Sequence, residues 1–282
     1  MKSTKRRLMV LVGLVAASAV FAMVGVPGAA QAQKQRHANL LVPLYDNADP
    51  TNWSRACSQA NGTGDGSWII ADPAHGPGTA PLPNWATVIK NCHRYGRASV
   101  IGYVWTDYGR GGQASIPDIK RQIDNWYAFY PGRIAGIFFD GVSDAVPETA
   151  ASNQTFYQAL ATYVHTRKDG NDEVVFNPGT NPGSDWMLRA NRAKNADIVV
   201  TFEGSYNTPG LNPYTAWQPA SWEKRYPASD FAALVYDAPS TTGTPQPTSA
   251  CNRLKQQNVG YVYVGTWYSE LAPYYSDLAS AC

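Results

Sequence analysis

The chain has 282 residues, with 23 Lys+Arg against 21 Asp+Glu and a formal net charge of +2. Four of the positive charges, Lys2, Lys5, Arg6 and Arg7, precede an uncharged apolar stretch from Leu8 to Val26. Without those four the balance becomes −2, which leaves no basic face for nucleic acid or for an anionic membrane.

That N-terminal arrangement reads as a targeting segment. Ala30-Gln31-Ala32 supplies the small-x-small pattern of a cleavage site, so residues 1–32 are expected to be a cleaved signal peptide. Arg6-Arg7 also fits twin-arginine export. A membrane anchor is the alternative. Gly13, Gly25, Pro27 and Gly28, together with the cleavage site, speak against it. The expectation is a secreted, extracellular chain of residues 33–282, with no membrane contact after cleavage and nothing that demands an oligomer. All four cysteines, Cys57, Cys92, Cys251 and Cys282, fall in this part, and an even count in an exported chain indicates disulfides. Of three pairings, Cys57–Cys92 and Cys251–Cys282 are favoured because each joins neighbouring segments. No C-x-x-C spacing or histidine pair suggests a metal, and none is expected.

Eight short apolar runs follow in order: Leu40–Tyr45, Ser67–Asp72, Ala98–Trp105, Ile134–Asp140, Glu173–Asn177, Asp197–Glu203, Phe231–Asp237 and Val259–Thr266. Most do not alternate apolar with polar residues, as befits strands covered on both faces of a parallel sheet. The stretches between them leave room for one crossover helix each. Ser115-Ile116-Pro117-Asp118 opens one such helix, with Ile119, Ile123, Trp126, Tyr127 and Tyr130 at helical spacing before Pro131-Gly132. Trp85, Val88, Ile89 and Cys92 form a second stripe; Phe156, Leu160, Tyr163 and Val164 form a third. Eight strands alternating with helices predict an α/β chain folded as a single (β/α)8 TIM barrel, with an open doubly wound sheet as the rival.

In such a barrel, chemistry gathers where strands end. The residues there are Tyr45, Asp46, Asp72, Tyr103, Trp105, Asp107, Tyr108, Asp140, Asn177, Glu203, Tyr206, Tyr236, Asp237 and Trp267. Asp140 follows Gly136-Ile137-Phe138-Phe139, and Glu203 follows Val199-Val200-Thr201-Phe202. A carboxylate at the rim of an apolar core can have its pKa raised, and glycoside hydrolysis needs two carboxyls in different protonation states. Asp140 and Glu203 are therefore the expected catalytic pair, with Glu203 as acid/base and Asp140 as nucleophile or stabiliser. Any one of Asp46, Asp72, Asp107 and Asp237 is more simply a helix cap or loop acceptor. Among the 9 Trp and 17 Tyr, Trp105, Tyr108, Tyr206, Tyr236, Trp267 and Tyr268 are placed to stack on sugar rings. No G-x-S-x-G elbow or P-loop occurs. Gly62-Thr63-Gly64-Asp65-Gly66 precedes a strand and reads as a loop, and no triad or metal set assembles from His37, His75, His93 and His165. No cofactor is called for.

The ordered set of these segments resembles the spherulin-4-like family. It comprises Leu41-Val42-Pro43-Leu44-Tyr45 with Trp53, Trp68-Ile69-Ile70-Ala71-Asp72-Pro73 running into Gly76-Pro77-Gly78, and Gly102-Tyr103-Val104-Trp105-Thr106-Asp107-Tyr108-Gly109. Gly136–Asp140, Phe176-Asn177-Pro178-Gly179 and Thr201-Phe202-Glu203 complete it. The resemblance implies glycoside hydrolase family 135. Its (β/α)8 members cut α-1,4-linked N-acetylgalactosamine stretches of galactosaminogalactan in fungal biofilms. It places Asp140 at the acid closing the fourth strand and Glu203 at the glutamate closing the sixth. Fungal members follow the strand-four aspartate with glutamate, whereas this chain has Gly141, leaving Asp107 and Asp144 as the acids that could stand in. The expected partner is thus a hexosamine-rich polysaccharide, cut internally. The alternative is a glycan-binding barrel without chemistry.

Overall fold

The computed structural model describes residues 37–61, 66–110, 114–144, 147–167, 172–188, 195–240 and 246–282. The expected signal segment and most of the glycine-rich loop at residues 62–66 lie outside them. Eight parallel strands close a barrel in sequence order: β1 (Asn39–Leu44), β2 (Ser67–Ala71), β3 (Ala98–Trp105), β4 (Ile134–Asp140), β5 (Glu173–Asn177), β6 (Ile198–Ser205), β7 (Phe231–Tyr236) and β8 (Tyr261–Val264). Closure is completed by β1 against β8, through Asn39 beside Tyr261 and Leu40 beside Val262. The open sheet is excluded.

Helices α1 (Pro50–Gln59), α2 (Pro83–Tyr95), α3 (Ile116–Phe129) and α4 (Pro147–His165) follow the first four strands. Helices α5 (Gln246–Lys255) and α6 (Tyr275–Ala281) follow β7 and β8. The crossovers after β5 and β6 depart from the expected pattern. Among the described residues they carry only 3₁₀ turns, at Asp185–Met187, Glu223–Arg225 and Ala228–Asp230. Local chemistry accounts for the helices that do form. Ser115 caps α3 by accepting from the Asp118 amide, with Pro117 in the first turn, and Asp49 caps α1 at the Asn52 amide. The stripe on α4 is offset by one residue. Tyr157, not Phe156, is fully buried with Leu160 and Val164, because Tyr157 reaches over the strand ends to the Ser143 amide and Thr106.

The core lies both inside the barrel and between barrel and helices. Trp126 of α3 is fully buried and donates its indole N–H to the Tyr103 carbonyl at 2.9 Å. Its ring lies so close to β3 that a Cβ on Gly102 would sit 2.5 Å from it. Disulfides Cys57–Cys92 and Cys251–Cys282 form as favoured from the sequence, tying α1 to α2 and α5 to the residue that ends α6. Loops of about 30 residues closed in this way contribute roughly 3–4 kcal/mol each in a chain-entropy treatment.

Candidate active site

Strand register builds the mouth of the barrel. Trp105 on β3 pairs with Asp140 on β4, and Asp140 pairs with Asn177 on β5. In-register residues of neighbouring parallel strands project to the same side, as does Tyr103 two positions before Trp105. Glu203 reaches this group from β6 by another route. The β6–β7 register shifts between Val200 and Phe202, and such an irregularity re-aims the residues beyond it. The sixth strand does not close at Glu203 as expected. It runs on to Ser205, because Gly204 and Ser205 still pair with Val235 and Tyr236 of β7.

Asn177 joins the two acids. Its Nδ2 donates to Asp140 Oδ1 at 2.8 Å and to Glu203 Oε2 at 2.7 Å. Two acceptors on one nitrogen can be separated by no more than the two bonds laid end to end. The nearest oxygens of the pair are therefore at most about 5.5 Å apart. The second oxygen of Asp140 accepts from the Tyr103 hydroxyl at 2.8 Å.

These contacts separate the two carboxyls electrically. Burial raises the pKa of Asp140, but donors from Tyr103, Gly141 and Asn177 oppose the rise. Glu203 is pushed up to about 7, first by burial and then by the negative charge of Asp140, with Asn177 and Tyr268 only partly offsetting them. The Tyr268 hydroxyl faces Glu203 outside hydrogen-bond geometry and is buried with no hydrogen-bond partner among the described residues. Burial and the nearby carboxylates hold Tyr45 and Tyr103 well above their ordinary pKa, so both stay protonated.

The remaining candidates sort by position. Tyr45 meets Tyr103 and Tyr268 edge-on at 5.5 and 6.0 Å, and Tyr236 meets Tyr268 at 6.4 Å within the field of Glu203. Asp72 is close enough to Asp140 for their charges to repel, and it accepts from the Gly76 amide at 2.7 Å. Asp46 turns elsewhere, accepting from the Trp53 indole at 2.9 Å and the Asp49 amide at 3.3 Å. Asp107 and Tyr108 occupy a tight turn after β3 with φ of 49° and 53°. Asp144 is exposed, and no hydrogen bond or ion pair among the described residues joins it or Asp107 to the pair. Tyr206 packs on Tyr214 at 5.1 Å, Asp237 is exposed and accepts from the Thr208 hydroxyl, and Trp267 is 60% exposed on the turn after β8.

Two features go beyond the expected list. The Thr106 hydroxyl bridges the carbonyls of Asp140 and Gly141 at 2.9 and 2.8 Å and so fixes the turn that presents the acid. Glu223 is fully buried and accepts from the Ala220 amide, Asn181 and Thr201, the last lying two residues before Glu203. It escapes a search of strand ends because it sits in a 3₁₀ turn. Among the described residues, no group of three or more His, Cys, Asp or Glu is placed to hold a metal ion.

A closed (β/α)8 barrel with paired acids at its mouth has a glycosidase-like fold. The chain belongs to the spherulation-specific family 4, whose model matches residues 39–282. Among solved structures, Sph3 from Aspergillus clavatus in complex with GalNAc superposes with a TM-score of 0.69 at 19% identity, covering 88% of this chain and 98% of that one. A family 18 chitinase from Chromobacterium violaceum reaches a TM-score of 0.46 at 12% identity over 88% of this chain and 83% of its own, too loose a likeness to carry weight. No curated protein matches the sequence.

Proposed function

We propose that this chain is a secreted, endo-acting glycoside hydrolase that cuts a hexosamine-rich polysaccharide by double displacement with retention, as a monomer. The observation that carries this is the Asn177 amide shared by Asp140 and Glu203. The bridge keeps the nearest oxygens of the two acids within about 5.5 Å, the closeness that suits a nucleophile and an acid/base, whose carboxyls stand about 5–5.5 Å apart, while inversion needs roughly 6.5–9.5 Å to admit a water.

Roles follow from the environments. Glu203, with a pKa of about 7, holds a proton near neutrality and gives it to the departing glycosidic oxygen. Asp140, whose carboxyl accepts from the Tyr103 hydroxyl and the Asn177 amide, is the carboxylate that attacks the anomeric carbon to form a glycosyl ester. Glu203, now a carboxylate, then takes a proton from water, whose oxygen displaces Asp140 from the same carbon. Tyr45, Tyr103, Asp72 and Tyr236 line the place where the sugar lies. Asp46, Asp107, Tyr108, Tyr206, Asp237 and Trp267 are left for more distant sugar contacts or for loop structure.

The bound GalNAc of the Aspergillus clavatus protein makes α-1,4-linked N-acetylgalactosamine the first polymer to test. Export is supported by the two disulfides, and no described helix is long and apolar enough to cross a membrane. The test is digestion of galactosaminogalactan and a panel of other polysaccharides, with products read by mass spectrometry beside Asp140→Asn and Glu203→Gln. Oligosaccharides that vanish in both variants support hydrolysis, and the anomer released first, followed by NMR, reports retention.

One observation favours a second function, glycan binding without chemistry: Gly141 supplies no third acid beside Asp140. Polymer bound but never cut by the unaltered protein would favour it.

A further inference from the structure

Gly141 has a left-handed backbone, φ +59°, and a Cβ built on it would lie 2.5, 2.6 and 2.8 Å from three ring carbons of Trp105. Any side chain at 141 therefore collides with the indole, through a ring edge that cannot bend away as a flexible chain end would. The indole and the missing side chain are two parts of one feature.

The ring is also held from other sides. Trp105 is the last residue of β3 and the register partner of Asp140, so it occupies the row that presents the acid. Tyr108, beyond it on a left-handed turn, meets the indole edge-on at 5.3 Å. Arg110 covers the Tyr108 ring at 4.9 Å from its centroid. Yet Trp105 itself is only half-buried, and Tyr108 is 42% exposed. An indole fixed on one side by a glycine and on another by an aromatic edge, packed against the core yet still partly exposed, is a preformed apolar wall. A half-exposed aromatic residue beside buried polar groups is what a sugar's C–H face packs against.

We infer that Trp105 forms the wall of a sugar subsite beside Asp140, stacking on the C–H face of a neutral pyranose, and that position 141 is glycine to make room for the indole. This builds on the proposed function but needs only sugar binding, not cleavage. It assigns selectivity at this subsite to packing against an uncharged ring.

Titration calorimetry tests it with an α-1,4-linked N-acetylgalactosamine tetrasaccharide and the Glu203→Gln protein, in which the ligand survives. Trp105→Ala is expected to raise Kd about tenfold, and Gly141→Ala to raise it severalfold by displacing the ring. Trp105→Phe, which keeps a smaller ring and covers the case of a misfolded alanine variant, falls between. NMR of the bound sugar gives an independent readout. Ring protons of one pyranose move upfield through the indole ring current and return on Trp105→Ala. Kd unchanged within twofold in Trp105→Ala and Gly141→Ala, no upfield shift, or no binding of the tetrasaccharide at all, overturns the inference. Tight, Trp105-dependent binding without cleavage by the unaltered enzyme leaves it standing and removes the hydrolase proposal instead.

Discussion

The Gly179 amide donates to Asn177 Oδ1 at 2.9 Å, and this bond decides which end of the side-chain amide faces the acids. An amide N–H needs an oxygen, so Oδ1 turns toward Gly179 and Nδ2 is left to serve both carboxyls. Asn177→Asp would put an acceptor where both acids need a donor. We expect it to lower kcat by about 10²–10³, the scale of losing one preorganised donor. It should also raise the pKa of Glu203 further. Rates in the variant, and the high-pH limb of kcat/KM, check both effects; a rate within threefold of the parent would contradict the bridging role.

The pH profile follows from two raised carboxyls. Cleavage needs Glu203 protonated, so kcat/KM should fall as pH rises through about 7. It also needs Asp140 ionised, so activity should fall on the acid side, at a pH above the ordinary aspartate range because burial raises that group. Tyr103→Phe removes the donor 2.8 Å from Asp140 Oδ2 and should move the acid limb to higher pH, with kcat down about tenfold. Rate profiles from pH 4 to 9 on one defined oligosaccharide measure both limbs.

Much of this site was legible before any coordinates. Asp140, Asn177 and the row containing Tyr103 close runs of buried residues, and a polar residue at that point in a barrel strand faces the mouth. The eight strands were legible for the same reason, their near-continuous apolar character. The pairing of Trp105 with Gly141 was not, because it depends on how closely two strand ends approach. Nor could the strand ends alone separate Asp72, whose charge reaches Asp140, from Asp46, which turns to Trp53. Both acids follow apolar runs, and only the direction of the chain beyond them differs. The 3₁₀ crossovers after β5 and β6 leave no periodic stripe to read.

Holding Glu203 ready for catalysis should cost stability. Its folded pKa is about 7 against an ordinary value of 4.5. Between these values the folded state binds more protons than the unfolded one, so this group's contribution falls as pH rises from about 4.5 through 7. Glu203→Gln keeps the shape and an acceptor for Asn177 while removing the charge. It should stabilise the protein by about 1–3 kcal/mol at pH 8 and by little at pH 4. For a barrel of this size that is several degrees in Tm. Melting curves of parent and variant at the two pH values decide it; equal gains at both would mean that the charge is not the source.

Glu223 carries a buried carboxyl with no part in the chemistry. Its Oε1 accepts from the Ala220 amide at 2.8 Å and from Asn181 at 2.5 Å, and its Oε2 accepts from the Thr201 hydroxyl at 3.2 Å. Burial raises its pKa, and the three donors only partly offset that rise. Gln fits the same geometry. Its oxygen keeps the two N–H donors, and its amide can donate to Thr201 once that hydroxyl reverses. Glu223→Gln should therefore be neutral or stabilising by about 1 kcal/mol. Glu223→Ala leaves buried donors on both neighbouring loops unsatisfied and should cost about 3 kcal/mol or more. Because Thr201 lies two residues before Glu203, the alanine variant should also lose activity below its melting transition, where the glutamine variant keeps it. Denaturant unfolding of both variants, with activity measured at 25 °C, separates a hydrogen-bonding role for Glu223 from a purely ionic one.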